Sequence, residues 1–132
     1  MFAGIGGVRK GFEMTGKFQT IFANDCDKHC KLTYDRNFST TKLTVADIKE
    51  LSMKKGHIPA FDFLIGGFPC QALSVAIHGK GFEDEKGRGI LFNEIYRILR
   101  EASALQKKPP IVFLLENVRN LKSDDGGKTF KT

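Results

Sequence analysis

The sequence holds only three cysteines, Cys26, Cys30 and Cys70, in 132 residues. An odd, sparse set makes a disulfide framework improbable and suits a reducing intracellular compartment, cytoplasmic or nuclear. Cys26 and Cys30 flank His29, but a fourth ligand is lacking and the spacing matches no standard zinc pattern, so no metal is expected. No apolar run approaches the ~20 residues of a membrane span, which argues against a membrane partner. The amino terminus has no basic leader before an apolar stretch, so no secretion signal is read there. Internal repeats, linkers and low-complexity segments are also missing, as is any run of five basic residues.

What is present suits one domain or part of one. The chain is 41% hydrophobic and carries 12 phenylalanines, enough for a packed core. The formal charge is +6, from 21 Lys and Arg against 15 Asp and Glu. That balance favours a polyanionic partner without proving one.

Ile5, Val8 and Phe12 recur at helical spacing after a glycine-rich turn, and Gly16 can end that helix. Residues 18–23 read as a strand ending at Asn24-Asp25, and 27–37 as a short surface helix with Leu32 and Tyr34. Residues 43–45 read as a short strand ending at Asp47-Ile48. Residues 61–65, nearly continuous in apolar side chains, read as a strand of the kind buried in parallel sheets. A polar, glycine-bearing loop is expected from Gly66 to Arg88. An amphipathic helix follows, with Leu91, Phe92, Ile95, Ile98, Leu99 and Ala102 on one face. Asn93, Glu94, Arg97, Arg100 and Glu101 fall on the other. Residues 111–115 form the last strand, with Glu116-Asn117-Val118 directly after it.

Strands alternating with helices imply an α/β fold with a mainly parallel sheet. Ligands bind outside the carboxyl ends of such strands. The residues found there are a glycine turn, Asp25, Asp47, Pro69-Cys70 and Glu116, so the chemically useful groups sort to one edge. Asp25 lies roughly 20 residues after the glycine turn, where an acid holds ribose hydroxyls in nucleoside-binding folds. Asp25 could instead cap the helix starting near Asp27, and Asp47 could cap the turn after it. Cys70, on a stiff Gly-Gly-x-Pro turn opening into a polar segment, is a candidate nucleophile. Glu116 follows five apolar residues, so partial desolvation and a shifted pKa are expected of it, although it could be a solvated loop acid.

Phe2-Ala3-Gly4-Ile5-Gly6-Gly7, Gly67-Phe68-Pro69-Cys70-Gln71 and Glu116-Asn117-Val118 occur in the order and at the separations of three motifs of the DNA cytosine-5 methyltransferases. Gly81-Phe82-Glu83-Asp84 and Arg88-Gly89-Ile90-Leu91-Phe92 also resemble that family's catalytic loop and the helix after it. The resemblance implies a Rossmann-like, S-adenosylmethionine-dependent fold and methyl transfer to carbon 5 of a flipped cytosine, with S-adenosylhomocysteine as product. It assigns Cys70 as nucleophile at carbon 6 and protonated Glu116 at ring N3, with Gln71, Ser74 and Asn117 beside them. This chemistry needs a lowered Cys70 pKa and a raised Glu116 pKa. For the cofactor it implies Phe2 and Cys26 against adenine, and Gly4, Ile5 and Gly7 beside the methionine part. Asp25 falls on the ribose, Asp47 with Ile48 on the adenine edge, and Pro69 with Leu91 completes the pocket. DNA containing a target cytosine is the expected partner, tRNA the alternative, and a non-catalytic nucleic-acid- or partner-binding piece a third reading.

Against the family pattern, a strand before Phe2, the target-recognition domain and the final helix have no counterpart. The expectation is therefore a partial catalytic domain over 1–132, inactive or weak alone, with a complementing chain as a possible partner.

Overall fold

A computed structural model describes residues 1–69, 90–108 and 112–123. In chain order these form α1 (Gly7–Glu13), β1 (Asn24–Asp25), α2 (Lys28–Asn37), β2 (Thr44–Val45) and a 3-10 turn (Ile48–Glu50). After them come β3 (Phe63–Gly67), α3 (Ile90–Leu105), β4 (Val112–Glu116) and a second 3-10 turn (Arg119–Lys122). Both ladders are parallel, as the alternation of strands and helices requires. β1 pairs with β2, Asn24 opposite Thr44 and Asp25 opposite Val45. β3 pairs with β4 from Phe63 opposite Val112 to Gly67 opposite Glu116. The described residues thus carry two two-stranded sheets.

One core lies beneath α3. Ile95, Ile98 and Ala102, spaced three and four apart, are fully buried. Ile95 and Ile98 pack with Ile48, Leu51, Ile58 and Leu64. Each such aliphatic side chain contributes about 1.5–3 kcal/mol when fully buried. Glu101 does not lie on the solvent face expected of it. It is buried, and its carboxylate accepts hydrogen bonds from Ser52 Oγ (2.9 Å) and Met53 N (2.8 Å). Arg97 Nη1 donates to its other oxygen at 2.9 Å, and Arg97 Nη2 reaches Leu51 O at 2.8 Å. The helix is held to residues 48–53 by charge as well as by its apolar stripe.

The second core comprises Ala23, Tyr34, Phe38 and Leu43. Tyr34 is fully buried, while Leu32 of the same helix is exposed. Asp27 caps α2, accepting from His29 N at 2.8 Å. Arg9 reaches in from α1: Nη1 donates to Tyr34 Oη (2.9 Å) and Thr41 O (2.8 Å), and Nη2 to Thr40 Oγ1 (2.9 Å). Its guanidinium lies 4.2 Å from the centroid of the Phe38 ring. A buried Arg is tolerable here because its donors are met and a ring face covers it.

Three expectations need correction. Residues 18–23 carry no ladder, and β1 is confined to Asn24–Asp25. Polar groups along that stretch are met from elsewhere: Thr20 O accepts from Thr41 Oγ1 and Thr20 N donates to Glu13 Oε1. Gly66 and Gly67 belong to β3 rather than to the loop after it. Glu116 is the last residue of β4 rather than the first beyond it.

Candidate functional site

Four structural stretches converge where the strands end. The glycine turn comes first. Gly4 and Gly6 have φ of +52° and +94°, a left-handed conformation that glycine adopts at little cost. Gly6 is tightly enclosed, since a Cβ there would overlap the Phe38 ring. Gly4 and Gly7 are open: an added Cβ would meet nothing within 4 Å at either position. Phe2 also has positive φ, +54°, uncommon for an aromatic residue and a mark of local strain next to the turn.

Asp25 ties this turn to β1. Its Oδ2 accepts from Gly4 N at 2.8 Å and its Oδ1 from Asp27 N at 2.9 Å. Asp27, not Asp25, caps α2, so the capping alternative for Asp25 is set aside. Each Asp25 oxygen keeps a second lone pair for a further donor such as a sugar hydroxyl. Asp47 does cap the 3-10 turn, accepting from Lys49 N at 2.9 Å, and its side chain stays exposed. Desolvation of the Cys26 sulfur, and then the Asp25 carboxylate beside it, raise that thiol's pKa, with Asp47 and Asp27 adding to the rise. Asp25, Cys26 and Asp47 therefore lie together. Those surroundings favour the neutral Cys26 thiol over the thiolate. Ile48 is different: its side chain is in the core, and only its backbone is left to face the edge.

At the second sheet the register sets Gly67 opposite Glu116. A Cβ on Gly67 would sit 3.2 Å from Glu116 Oε2, so the glycine leaves room for that carboxylate. Asn117 Nδ2 donates to Phe68 O at 3.1 Å, fixing the chain just before Pro69, which is exposed. The rings of Phe68 and Phe92 lie 5.9 Å apart, and Leu91 packs against the α3 core. Glu116 is exposed, against the partial desolvation expected of it, and Val112, Phe113 and Leu114 before it are exposed as well. Cys70, Gln71 and Ser74 lie outside the described residues, as do most of the residues that resemble a catalytic loop, 81–89.

Two contributors escaped sequence reasoning. Asn24, fully buried, donates through Nδ2 to Thr44 O (3.2 Å) and Ala46 O (2.8 Å), clamping β1 to β2 beside Asp25. Its only sequence signal was a polar residue at the end of an apolar run. The Met1 amine donates to Ile65 O at 2.7 Å while Ala3 N donates to Asn24 O at 2.9 Å. Residues 1–3 thereby link the two sheets. Among the described residues no group of three or more His, Cys, Asp or Glu is arranged to hold a metal ion. Among the same residues no helix is long and apolar enough to cross a membrane.

The family model of the C-5 cytosine-specific DNA methylases matches residues 1–132. The chain is 47% identical over 131 residues to Type II methyltransferase M.Bsp6I of Bacillus sp. (strain RFL6), covering 99% of this chain and 38% of that protein. It is 48% identical to M1.ScrFI of Lactococcus lactis subsp. cremoris, covering 100% of this chain and 31% of the relative. The chain thus spans about a third of the length of these relatives. The S. pombe Dnmt2 methyltransferase structure superposes with a TM-score of 0.71 at 18% identity, over 98% of this chain and 38% of that one. A Spodoptera frugiperda DNMT2 structure gives 0.65 at 24% identity, with the same coverage.

Proposed function

Because the chain belongs to the C-5 cytosine-specific DNA methylase family, we propose that it supplies the cofactor-binding and nucleophile-bearing part of a DNA cytosine-5 methyltransferase. The observation that carries this reading is the Asp25 carboxylate. It holds the open glycine turn through Gly4 N, lies beside Cys26 and Asp47, and keeps acceptor capacity on both oxygens.

When bound, S-adenosylmethionine supplies an electrophilic methyl group on a sulfonium sulfur. Asp25 accepts the ribose hydroxyls. Phe2 and Cys26 contact the adenine faces, and Asp47 with the Ile48 backbone its edge. Gly4, Ile5 and Gly7 leave room beside the methionine part, with Pro69 and Leu91 closing the pocket. The Cys70 thiolate bonds to carbon 6 of the target cytosine, and the displaced electron pair makes carbon 5 nucleophilic. Glu116, as the acid, holds a proton at ring N3 so that negative charge does not accumulate on the ring. Carbon 5 would then take the methyl group as the sulfonium–methyl bond breaks to leave the thioether product; loss of the carbon 5 proton to a base would expel the Cys70 thiolate from carbon 6. Asn117 holds Phe68 O and so positions the Pro69-Cys70 turn, with Gln71 and Ser74 near the gap left by the flipped base. The working partner is DNA in a reducing intracellular compartment, and the remaining two thirds of the enzyme would supply target recognition.

Calorimetric titration of the chain with S-adenosylmethionine tests the cofactor half. Saturable binding that Asp25→Ala weakens tenfold or more is expected. A chain that melts cooperatively yet binds no cofactor at millimolar concentration would remove the reading from this segment. The chemical half is tested in a full-length enzyme containing the segment, using oligonucleotides with 5-fluorocytosine. A denaturation-stable adduct that Cys70→Ala abolishes is expected with DNA, and trapping on tRNA alone would reassign the substrate.

A further inference from the structure

The 3-10 turn Ile48–Glu50 is capped by Asp47, whose Oδ1 accepts from Lys49 N at 2.9 Å and whose carbonyl accepts from Glu50 N at 3.0 Å. Two groups at this end have no hydrogen-bond partner among the described residues. One is the second carboxylate oxygen, Asp47 Oδ2, and the other is the amide of Ile48, the first residue of the turn. Asp47 is exposed, while the buried Ile48 side chain anchors the backbone to the core. An acceptor and a donor thus sit on successive residues, near Cys26 and Asp25. A 6-aminopurine presents the complementary pair, an amino donor next to the N1 acceptor. A 6-oxopurine presents the reverse, a carbonyl next to an N1–H, and opposes both groups.

Such a pair discriminates only if its peptide planes are held still, and a three-residue 3-10 turn has too few bonds to hold itself. The restraint comes from α3. Arg97 Nη2 donates to two carbonyls of the segment, Ile48 O at 3.2 Å and Leu51 O at 2.8 Å. The guanidinium is itself oriented from within the helix: Nε donates to Glu94 Oε2 at 2.7 Å and Nη1 to Glu101 Oε1 at 2.9 Å. A planar fork with donors on three nitrogens meets both carboxylates and both carbonyls at once. A lysine ammonium on a flexible stem does not. The Arg97 side chain is 33% exposed, so solvent screens its charges and its share of overall stability is small.

We infer that Arg97 is a positioning residue for purine selectivity. By clamping Ile48 O and Leu51 O it fixes Asp47 Oδ2 and Ile48 N in the arrangement that accepts a 6-amino edge and rejects a 6-oxo edge. Arg97 touches no ligand and acts through those two groups. The inference rests on the proposed adenosyl cofactor and adds a residue of α3, away from the strand ends, to what selects it.

The test compares calorimetric affinities of S-adenosylhomocysteine and its deaminated 6-oxo counterpart, S-inosylhomocysteine, in a full-length enzyme containing this segment. The parent enzyme should prefer the adenosyl compound about tenfold or more. Arg97→Ala should cut that preference to about threefold or less, weakening the adenosyl compound while the inosyl compound stays within about twofold. Arg97→Lys, which keeps the charge, should fall between. Asp47→Asn, which retains the Oδ1 cap, should also erase the preference. Adding Arg97→Ala to it should change the ratio no further, because the two act on one contact. Ile98→Val, a small cavity in the α3 core, should lower the melting temperature yet keep the preference. A preference unchanged in both Arg97 variants would overturn the inference and leave the cofactor reading standing. So would an equal loss in Ile98→Val, which would mark the effect as general loosening of the helix. A parent enzyme that binds neither compound would overturn the cofactor reading and this inference with it.

Discussion

Replacing Glu101 with alanine tests how α3 is held to the segment that carries Asp47. The buried carboxylate accepts from Ser52 Oγ and Met53 N on one oxygen and from Arg97 on the other. Hydrogen bonds to a charged acceptor contribute about 1.5–3 kcal/mol each, and buried donors left without one cost about 1–3 kcal/mol. Water can enter the space left by truncation and partly relieve Ser52 and Met53. The Arg97 side chain is 33% exposed and keeps Glu94 at 2.7 Å, so its part is screened and adds below about 1 kcal/mol. The sum is a loss of about 3 kcal/mol, or roughly 10 °C in melting temperature for a domain of this size. Glu101→Gln keeps one acceptor oxygen and should lose about half as much. Burial pushes the Glu101 carboxyl upward, but the bonds from Ser52, Met53 and Arg97 outweigh it and leave its pKa below the ordinary glutamate value. The stabilisation is therefore present above the ordinary glutamate range and lost as pH falls through the lowered folded pKa. Calorimetric scans at pH 7 and at decreasing pH should show the alanine variant converging on the parent chain in acid. A deficit under about 1 kcal/mol at pH 7 would mean that the apolar stripe alone seats the helix.

The Met1 amine acts in the same direction but in a higher pH window. Burial lowers its pKa to about 6, with Asp25 offsetting only part of the shift. The folded state thus binds fewer protons than the unfolded between about pH 6 and 8, and stability should rise across that window by about 2–3 kcal/mol. Amino-terminal acetylation should flatten this rise in a series of urea melts. Gly6→Ala should cost at least about 2 kcal/mol in the same melts, because φ is +94° and the new methyl group would overlap the Phe38 ring. Gly67→Ala should leave stability within about 1 kcal/mol but displace the Glu116 carboxylate, lowering fluorocytosine adduct yield in the full-length enzyme tenfold or more. An unchanged yield would mean that Glu116 does not work from this position.

Parallel α/β organisation was legible because it rests on periodicity. The α3 stripe of Ile95, Ile98 and Ala102 read directly from spacing, and the strand read over 61–65 exists but is shifted to Phe63–Gly67. The β1 boundary did not, since residues 18–23 have the composition of a strand, but a ladder needs a neighbour that composition does not report. Glu101 was misread for a related reason: helical periodicity gives its direction but not Ser52 and Met53, some fifty residues away, which make its burial tolerable. The distance of Asp25 from the glycine turn drew attention to the residue that the structure shows bonded to Gly4 N. Asn24 was not legible, because its role depends on which carbonyls β2 presents to it.

The two hydrophobic clusters share no buried residue: Tyr34 and its neighbours close one, Ile95 and its neighbours the other. Hydrogen exchange tests whether each is a separate cooperative unit. Amides in α2 should report the opening free energy of their own cluster, and amides in α3 that of the other. Residues 1–3 are the seam between them. If that seam holds, both sets exchange at one common free energy. If it opens first, the half with the two-residue ladders exchanges on its own, and the edge carrying Asp25 opens before the rest of the molecule unfolds.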